Sequence, residues 1–222
     1  MRRRPLLQAG FVLPVMASGL RAAPPNFSVK LLDGGWLGAR RAAGLAIELD
    51  DGWKTYWRMP GNAGIPPMFN WQGSKNAAKI EVLFPLPKRY TDASGDTVGY
   101  MDQVILPILI EPADAAMPID LGLDLFFAVC EDICIPAKTK ASLTLDVGGT
   151  GGETHMFQEW IARVPVPATE PLPVTASTLA MEGDRPALIL SLLEPVTDIF
   201  VETDGDAYFR KPDFAADGLP AR

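Results

Sequence analysis

Apolar and polar residues alternate with a period of two in four segments, and this pattern constrains the fold more than any other feature of the sequence. The segments are 45–49, 80–84, 121–129 and 143–147. Such alternation predicts β-strands that bury one face. A denser apolar run at 103–110 contains Pro107, which predicts an edge strand or a bulge. Turn-forming stretches separate these segments, and 20 glycines and 21 prolines in 222 residues favour an all-β sandwich over a helical bundle.

Composition limits the class of partner. Hydrophobic residues make up 48% of the chain and charged residues 21%, which is typical of a soluble globular protein. Beyond the N-terminal region, no run of about 18 apolar residues predicts a membrane span. The net charge is −7 and no basic stripe occurs, so nucleic acid is a poor candidate for the partner.

The first 23 residues read as a signal peptide. Three arginines, Arg2 to Arg4, precede a short apolar stretch at 6–20, and Ala22 and Ala23 are small enough for cleavage. A disordered basic tail or an uncleaved anchor is the alternative, and the arginines leave both the Sec and the Tat route open. Export would place the protein in an oxidising compartment, where cysteine pairs can form disulfides.

The rest of the chain divides into three parts. Residues 24–150 hold the alternating segments and form the predicted sandwich domain. Residues 151–173 combine a predicted amphipathic helix at 153–164 with an extended proline-rich linker. Residues 174–222 are too few for an independent sandwich and are interpreted as a partial second β module, with strands at 187–193 and 198–202.

The two cysteines, Cys130 and Cys134, are the candidate catalytic residues. Cys130 falls in the opposite parity to the apolar row at 121–129, so a regular strand would point it away from the face that the row buries. A hairpin turning at Glu131, Asp132 and Ile133 would bring Cys134 opposite Cys130. Because a five-residue ring stabilises a fold by only about 2 kcal/mol, redox chemistry is favoured, with a structural disulfide and metal ligation left as alternatives.

The neighbours of the pair modify this expectation. Glu131 and Asp132 would raise the pKa of an adjacent thiol, which predicts a sluggish nucleophile that reacts mainly inside a docked complex. Cys134 is followed by Ile135 and Pro136, an uncharged apolar segment suited to docking.

Other chemistry-bearing residues are interpreted as structural. The aromatic residues of the central region, namely Trp53, Tyr56, Trp57 and Trp71, are expected in the core rather than on a docking surface. His155 is the sole histidine and lies near the predicted helix start, so we expect it to be exposed or capping. Without a further histidine or cysteine cluster, neither a metal nor an organic cofactor is predicted.

An ordered set of motifs resembles the periplasmic N-terminal (alpha) domain of the DsbD-type thiol–disulfide interchange proteins, especially the ScsB (suppressor of copper sensitivity) subgroup. The resemblance runs from about residue 35 to 147. Its pieces are 52–61 (GWKTYWRMPG), 64–66 (GIP), Trp71, 84–87 (FPLP), 99–100 (GY), 106–107 (LP) and 130–136 (CEDICIP). The spacing departs from the better-known members, which have more than three residues between the cysteines.

The resemblance implies an immunoglobulin-like sandwich with its redox cysteines on a hairpin. It implies a protein-disulfide reductase component that takes electrons from a membrane-embedded donor domain. The implied recipients are periplasmic thioredoxin-fold proteins, such as disulfide isomerases or cytochrome c maturation thioredoxins. By the same resemblance, Cys134 forms the mixed disulfide, Cys130 resolves it, and a cap loop between Tyr90 and Tyr100 shields the pair.

Two other functions remain open at this stage. Cys-X-X-X-Cys followed by proline is similar to the Sco copper chaperones, so a Cu(I) carrier linked to copper tolerance is one alternative. A plain immunoglobulin-like module with an inert disulfide is the other.

Overall fold

The computed structural model describes residues 26–61, 64–92, 95–204 and 209–214, so the predicted signal peptide at 1–23 lies outside the described residues. Within these ranges the chain forms strands β1 (Phe27–Leu37), β2 (Arg40–Leu49), β3 (Lys54–Gly61), β4 (Met68–Asn70), β5 (Ala77–Val82), β6 (Lys88–Asp92), β7 (Gly95–Met101), β8 (Gln103–Pro112), β9 (Ile119–Cys130) and β10 (Cys134–Leu145), then helix α1 (Thr154–Ile161) and strands β11 (Val174–Glu182) and β12 (Arg185–Leu192).

Two antiparallel sheets form the sandwich. The four-stranded sheet has the order β1-β2-β8-β5, and the other has the order β10-β9-β3-β7-β6 with β4 paired to β9. The helix is short and the remaining elements are strands, so the predicted all-β, immunoglobulin-like sandwich is confirmed.

The core lies between the two sheets and is built from the alternating rows. From β9 it takes the predicted row at 121–129, and from β2 and β8 it takes Leu45, Ile47, Leu106 and Ile108, all buried. Each such side chain contributes about 1.5–3 kcal/mol through its burial. Burial also raises the pKa of the Tyr100 phenol, which stays protonated and donates a hydrogen bond to the Pro85 carbonyl oxygen at 2.7 Å.

The prediction of an edge strand or bulge at Pro107 is wrong. Strand β8 lies inside its sheet, between β2 and β5, and Pro107 pairs with Gly44 without a register shift. The Pro107 carbonyl accepts a hydrogen bond from the Leu83 N–H, just beyond the end of β5. In an antiparallel strand the N–H and C=O of one residue point to the same side. The missing N–H of Pro107 therefore faces the place where β5 has ended, and little pairing is lost.

Helix α1 covers the outer face of the four-stranded sheet. Phe157 is fully buried against Ala42 and Leu109, and Met156 and Trp160 pack on Leu32, Ala46 and Ile105. A Cβ atom on Gly34 would lie 2.8 Å from the Phe157 ring, so the glycine makes room for the helix. This packing occupies the outer face of one sheet and leaves that of the other sheet to the cysteines.

Beyond the helix, β11 and β12 form a two-stranded antiparallel hairpin, but the predicted strand at 198–202 is wrong. That segment lies instead against the sandwich. Arg89 donates to both carboxylate oxygens of Asp198, Arg58 pairs with Glu202 at 2.6 Å, and the Phe200 and Trp57 rings meet edge to face at 5.8 Å. The alternation of these residues reflects anchoring to the sandwich, which the sequence pattern alone does not distinguish from strand pairing.

Candidate redox site on the outer face of the six-stranded sheet

The two cysteines face each other at the open end of the β9–β10 hairpin. Cys130 is the last residue of β9 and Cys134 the first of β10, and the two are direct partners in the antiparallel register. Their Cα atoms are 4.2 Å apart and their sulfurs form a disulfide. The predicted turn over Glu131, Asp132 and Ile133 is confirmed, and a regular ladder continues from it to the Ile119–Leu145 pair.

The cysteines differ sharply in exposure. Cys130 points away from the main core, as its parity predicts, and is nevertheless only 1% exposed because Tyr56, Ala128 and Ile65 pack around it. Cys134 lies on the edge strand β10 and is exposed. An incoming thiolate must approach along the S–S axis, so access to the disulfide is through Cys134.

The Tyr56 side chain makes polar contact with the disulfide. Its hydroxyl oxygen lies 2.7 Å from Cys130 Sγ and 3.0 Å from Cys134 Sγ. Disulfide sulfurs carry no hydrogen, so the phenol donates to them. After reduction, the same O–H can donate to a thiolate, which favours the charged form of the cysteine. The side chain is 2% exposed, so this hydrogen bond is shielded from solvent.

All four aromatic side chains pack in hydrophobic clusters, as expected, but Tyr56 lies outside the cluster between the two sheets. Trp57 is buried in the core, and Trp53 and Trp71 are half-buried against it. Tyr56 is buried as well, but on the opposite face, with Cys130. It precedes Trp57 in β3, and consecutive residues of a strand point to opposite faces. That parity was the sequence signal that could have separated Tyr56 from the core.

Lys54 is a second site residue that sequence reasoning missed. It pairs directly with Cys130 in the β3–β9 register and is buried at 6% exposure. Directly opposite residues share a face of the sheet, with Cβ atoms about 4.5–5.5 Å apart. The Thr55 hydroxyl donates to the Ala128 carbonyl oxygen at 2.9 Å, which ties β3 to β9 at this point. A lysine held so near favours the thiolate form of a cysteine.

Carboxylates flank the other side of the disulfide. Asp50 and Asp51 at the start of the β2–β3 turn are exposed, as are Glu131 and Asp132 in the cysteine turn. The two turns are neighbours, since a Cβ atom on Gly52 would lie 3.5 Å from the Glu131 carboxylate. Negative charge here opposes thiolate formation, while Lys54 and Tyr56 favour it. The site therefore combines groups that favour and groups that oppose the thiolate form of the same two cysteines.

The described residues that cover the site come from the β3–β4 connection. Ile65 packs on the cluster of Tyr56, Ala128 and Cys130, and a Cβ atom on Gly64 would lie 2.6 Å from the Tyr56 ring. The predicted cap between Tyr90 and Tyr100 falls on the β6–β7 hairpin, whose turn at 93–94 is outside the described residues. A shielding role for that hairpin stays a prediction.

Other candidate chemistry is sparse in the described part of the chain. His155 is exposed on α1, 3.8 Å from the Glu159 carboxylate, as its position near the helix start predicts. Among the described residues, no group of three or more histidine, cysteine or acidic side chains is arranged to hold a metal ion. The described helix is also too short to cross a membrane.

Of two solved structures that match this chain, the first supports the same architecture. The N-terminal periplasmic domain of ScsB from Proteus mirabilis matches with a TM-score of 0.55 and 24% identity, covering 76% of this chain and 63% of that one. This chain thus spans less than two thirds of that structure. The reduced DsbD N-terminal domain of Neisseria meningitidis has a TM-score of 0.34 and 15% identity, over 56% of this chain and 91% of that one. No curated protein sequence matches.

The family comparison covers the whole sandwich and the site. Residues 25–146 match the family described as thiol:disulfide interchange protein DsbD, N-terminal. The matched range is more than half of the chain and includes both cysteines, Tyr56 and Lys54. Together with the hairpin disulfide, this match identifies the chain as a member of the DsbD N-terminal domain family of thiol–disulfide interchange proteins.

Proposed function

We propose that this chain is a periplasmic thiol–disulfide exchange module that passes electrons from Cys130 and Cys134 to thioredoxin-fold proteins. In that role it is a component of a protein-disulfide reductase. The observation that carries the proposal is the unequal exposure of the two sulfurs. One cysteine is open to a partner, and the other is buried directly behind it. A disulfide serving only stability has no need of an exposed member.

In the proposed reaction the reduced module attacks the disulfide of its partner. The Cys134 thiolate forms a mixed disulfide, and the partner's second sulfur leaves as a thiolate. Cys130 then loses its proton and attacks Cys134 Sγ, which closes the Cys130–Cys134 disulfide and releases the partner sulfur that was bonded to Cys134. Two electrons and, after protonation, two protons have moved to the partner. The Tyr56 hydroxyl, which contacts both sulfurs, can stabilise the charge at each stage.

The finer assignments rest on family membership and on the sequence. Export by the predicted signal at 1–23 would deliver the module to the periplasm, and the matched ScsB structure is itself described as a periplasmic domain. The recipients we propose are disulfide isomerases or cytochrome c maturation thioredoxins, and the donor is a membrane-embedded domain that regenerates the dithiol. Catalytic roles for Cys134 as nucleophile and Cys130 as resolving residue belong to the same proposal.

Trapping of the mixed disulfide tests both the activity and the order of attack. A Cys130→Ser variant keeps the exposed nucleophile and lacks the resolving thiol. It should accumulate a covalent complex with an oxidised periplasmic thioredoxin-fold protein, detectable on a non-reducing gel.

The matched control is Cys134→Ser, in which the remaining thiol is buried and should trap little. Complexes from the Cys134→Ser variant alone would reverse the assignment. Complexes from neither variant, with partners that other reductants reduce, would refute thiol–disulfide exchange through this pair.

A further inference from the structure

A groove lies on the same sheet face as the disulfide. Its cavity volume is about 450 Å³, and strands β4, β9 and β10 form its floor. Its lining includes Met68, Asn70, Asp124, Phe126, Lys138 and Lys140. Met68 is 55% exposed, and Phe126 is half-buried beside it. An exposed methionine next to an aromatic ring is an adaptable apolar surface of the kind that binding sites use.

The strand register fixes the position of the groove relative to the disulfide. Phe126, Ala128 and Cys130 alternate along β9, and their β10 partners are Lys138, Pro136 and Cys134. These residues therefore share the outer face, with one pair between the groove and the sulfurs. Cys134 and Lys138 are four positions apart along an extended strand, a distance of about 13 Å. Pro136, between them, is exposed and uncharged.

The area that a weak redox complex buries is large enough for a partner bound at Cys134 to cover the start of the groove as well. Weak redox interfaces bury less than about 1,200 Å² in total, or about 600 Å² on each protein. A disc of that area has a radius of about 14 Å. A partner whose sulfur reaches Cys134 must cover the surface around it, and the groove begins within that radius.

Charges on the two sides of the disulfide are opposite in sign. Four exposed carboxylates, from Asp50, Asp51, Glu131 and Asp132, lie on the turn side. On the groove side, Lys140 is paired with Asp124 at 2.8 Å, whereas the Lys138 ammonium lies 5.7 Å from the Phe126 ring and has no described carboxylate as an ion-pair partner. Such an arrangement orients a charged partner before contact.

We propose that this groove is the docking site for the thioredoxin-fold partner, an inference that rests on the proposed function. An apolar side chain of the partner, from a loop beside its reactive cysteine, enters between Met68 and Phe126. A partner carboxylate faces Lys138, while basic residues of the partner face the acidic turn. The groove thereby selects the orientation in which the partner disulfide meets Cys134.

The test compares protein and small-molecule exchange. For each reduced variant, the second-order rate with an oxidised periplasmic disulfide isomerase is divided by the rate with oxidised dithiothreitol, which is too small to span the groove. Met68→Asp places a charge where an apolar side chain should dock, and should lower this ratio about tenfold. Its matched control is Met181→Asp on β11, a similarly exposed methionine outside this sheet (65% exposed), which should stay within twofold of wild type.

Reversing the charge at Lys138 is an independent test of the docking site. Lys138→Glu should lower the ratio several-fold at low salt and much less at high salt, because screening weakens interactions between exposed charges. Lys79→Glu on β5 makes the same charge change on the other sheet and should have little effect.

The outcomes separate this inference from the proposed function. Unchanged ratios for both groove variants, with a normal wild-type rate, would overturn the docking site and leave the exchange function intact. Absence of exchange between the wild type and any thioredoxin-fold protein, with normal dithiothreitol exchange, would overturn the function itself. If Met68→Asp instead dissociated a dimer of this chain without changing the ratio, the groove would be a self-association surface and the proposal would be wrong.

Discussion

At the scale of single residues, the environment of the disulfide sets its reactivity. The Tyr56 hydroxyl contacts both sulfurs, and Lys54 is the direct register partner of Cys130. Four exposed carboxylates lie in the cysteine turn and in the neighbouring β2–β3 turn. Hydrogen bonds to charged groups are worth about 1.5–3 kcal/mol, and one pKa unit corresponds to 1.36 kcal/mol. The loss of the phenol O–H alone is therefore large enough to measure.

The first prediction concerns Tyr56→Phe. The ring stays in place against Ile65 and Ala128, but the donor to the sulfurs is lost, so the thiolate is less stable. We expect the pKa of the reactive thiol to rise by about one unit. The pH dependence of iodoacetamide alkylation of the reduced protein measures this. Tyr90→Phe on β6 is the matched control and should leave the profile unchanged. Superimposable profiles for Tyr56→Phe and wild type would contradict the role assigned to the hydroxyl.

A residue of the site could be predicted from the sequence only when the residues that determine its position lie close to it in the chain. Strand parity determines the face of the sheet to which Cys130 points, and a three-residue turn determines its pairing with Cys134. Both features can be read from residues 121–136. Tyr56 and Lys54 reach the site only because β3 pairs with β9, more than seventy residues away. Parity could place Tyr56 on the outer face, but no local pattern specifies that β3 pairs with β9, so the position of both residues beside Cys130 could be recognised only in the folded structure.

At the scale of elements, the β9–β10 hairpin carries the site without depending on the disulfide. Its ladder runs unbroken from Cys130–Cys134 to Ile119–Leu145, and the inward row of β9 is buried in the core. A redox-active pair on such a hairpin can open and close while the strands remain in register. The cross-link adds only a five-residue ring to an element that is already held by its packing.

The second prediction is that loss of the disulfide leaves the fold intact. The double variant Cys130→Ser/Cys134→Ser should lose no more than about 2 kcal/mol in the free energy of unfolding, measured with urea. Leu125→Ala, which removes a core side chain from the same strand, should lose about 2–5 kcal/mol and shows the sensitivity of the measurement. A double variant less stable than Leu125→Ala would favour a structural disulfide over a redox pair.

Strands were predicted correctly where the alternation of apolar and polar residues alone determines them. The predictions were wrong where a contact with another segment of the chain decides the structure. Pro107 indicated an edge because proline lacks a donor, yet the end of β5 removes the need for one. The 198–202 segment alternates like a strand, but its charged side chains pair with arginines of the sandwich. In both cases the deciding contact comes from a distant part of the chain.

At the scale of the whole molecule, the chain after the helix is held to the sandwich near the far edge of the six-stranded sheet. Arg89 on β6 donates to Asp198 and to the Ile199 carbonyl oxygen, and its guanidinium lies 5.1 Å from the Phe200 ring. The side chains of Arg89 and Asp198 are 7% and 22% exposed. The disulfide lies toward the opposite edge, so this attachment leaves the redox face open.

Two ion pairs join the same segment to the same sandwich, and their burial predicts unequal contributions. Removing one partner of a buried pair leaves an unpaired charge and typically costs about 3–5 kcal/mol, whereas an exposed pair is worth about 0–1 kcal/mol. Asp198→Ala should therefore destabilise the protein by about 3 kcal/mol, toward the lower limit because Asp198 is partly exposed. Glu202→Ala removes the pair with Arg58, in which both side chains are 43% exposed, and should change stability by less than about 1 kcal/mol.

Urea unfolding of the two variants measures this difference, and hydrogen exchange locates it. In Asp198→Ala, protection should fall at the Ile199 amide, which donates to the lost carboxylate, while the core strands keep theirs. Adding Arg89→Leu to Asp198→Ala should restore part of the lost stability, because it removes the unpaired buried cation. Equal losses from Asp198→Ala and Glu202→Ala, with no recovery in the double variant, would show that the segment is held by the Phe200–Trp57 contact rather than by the buried pair.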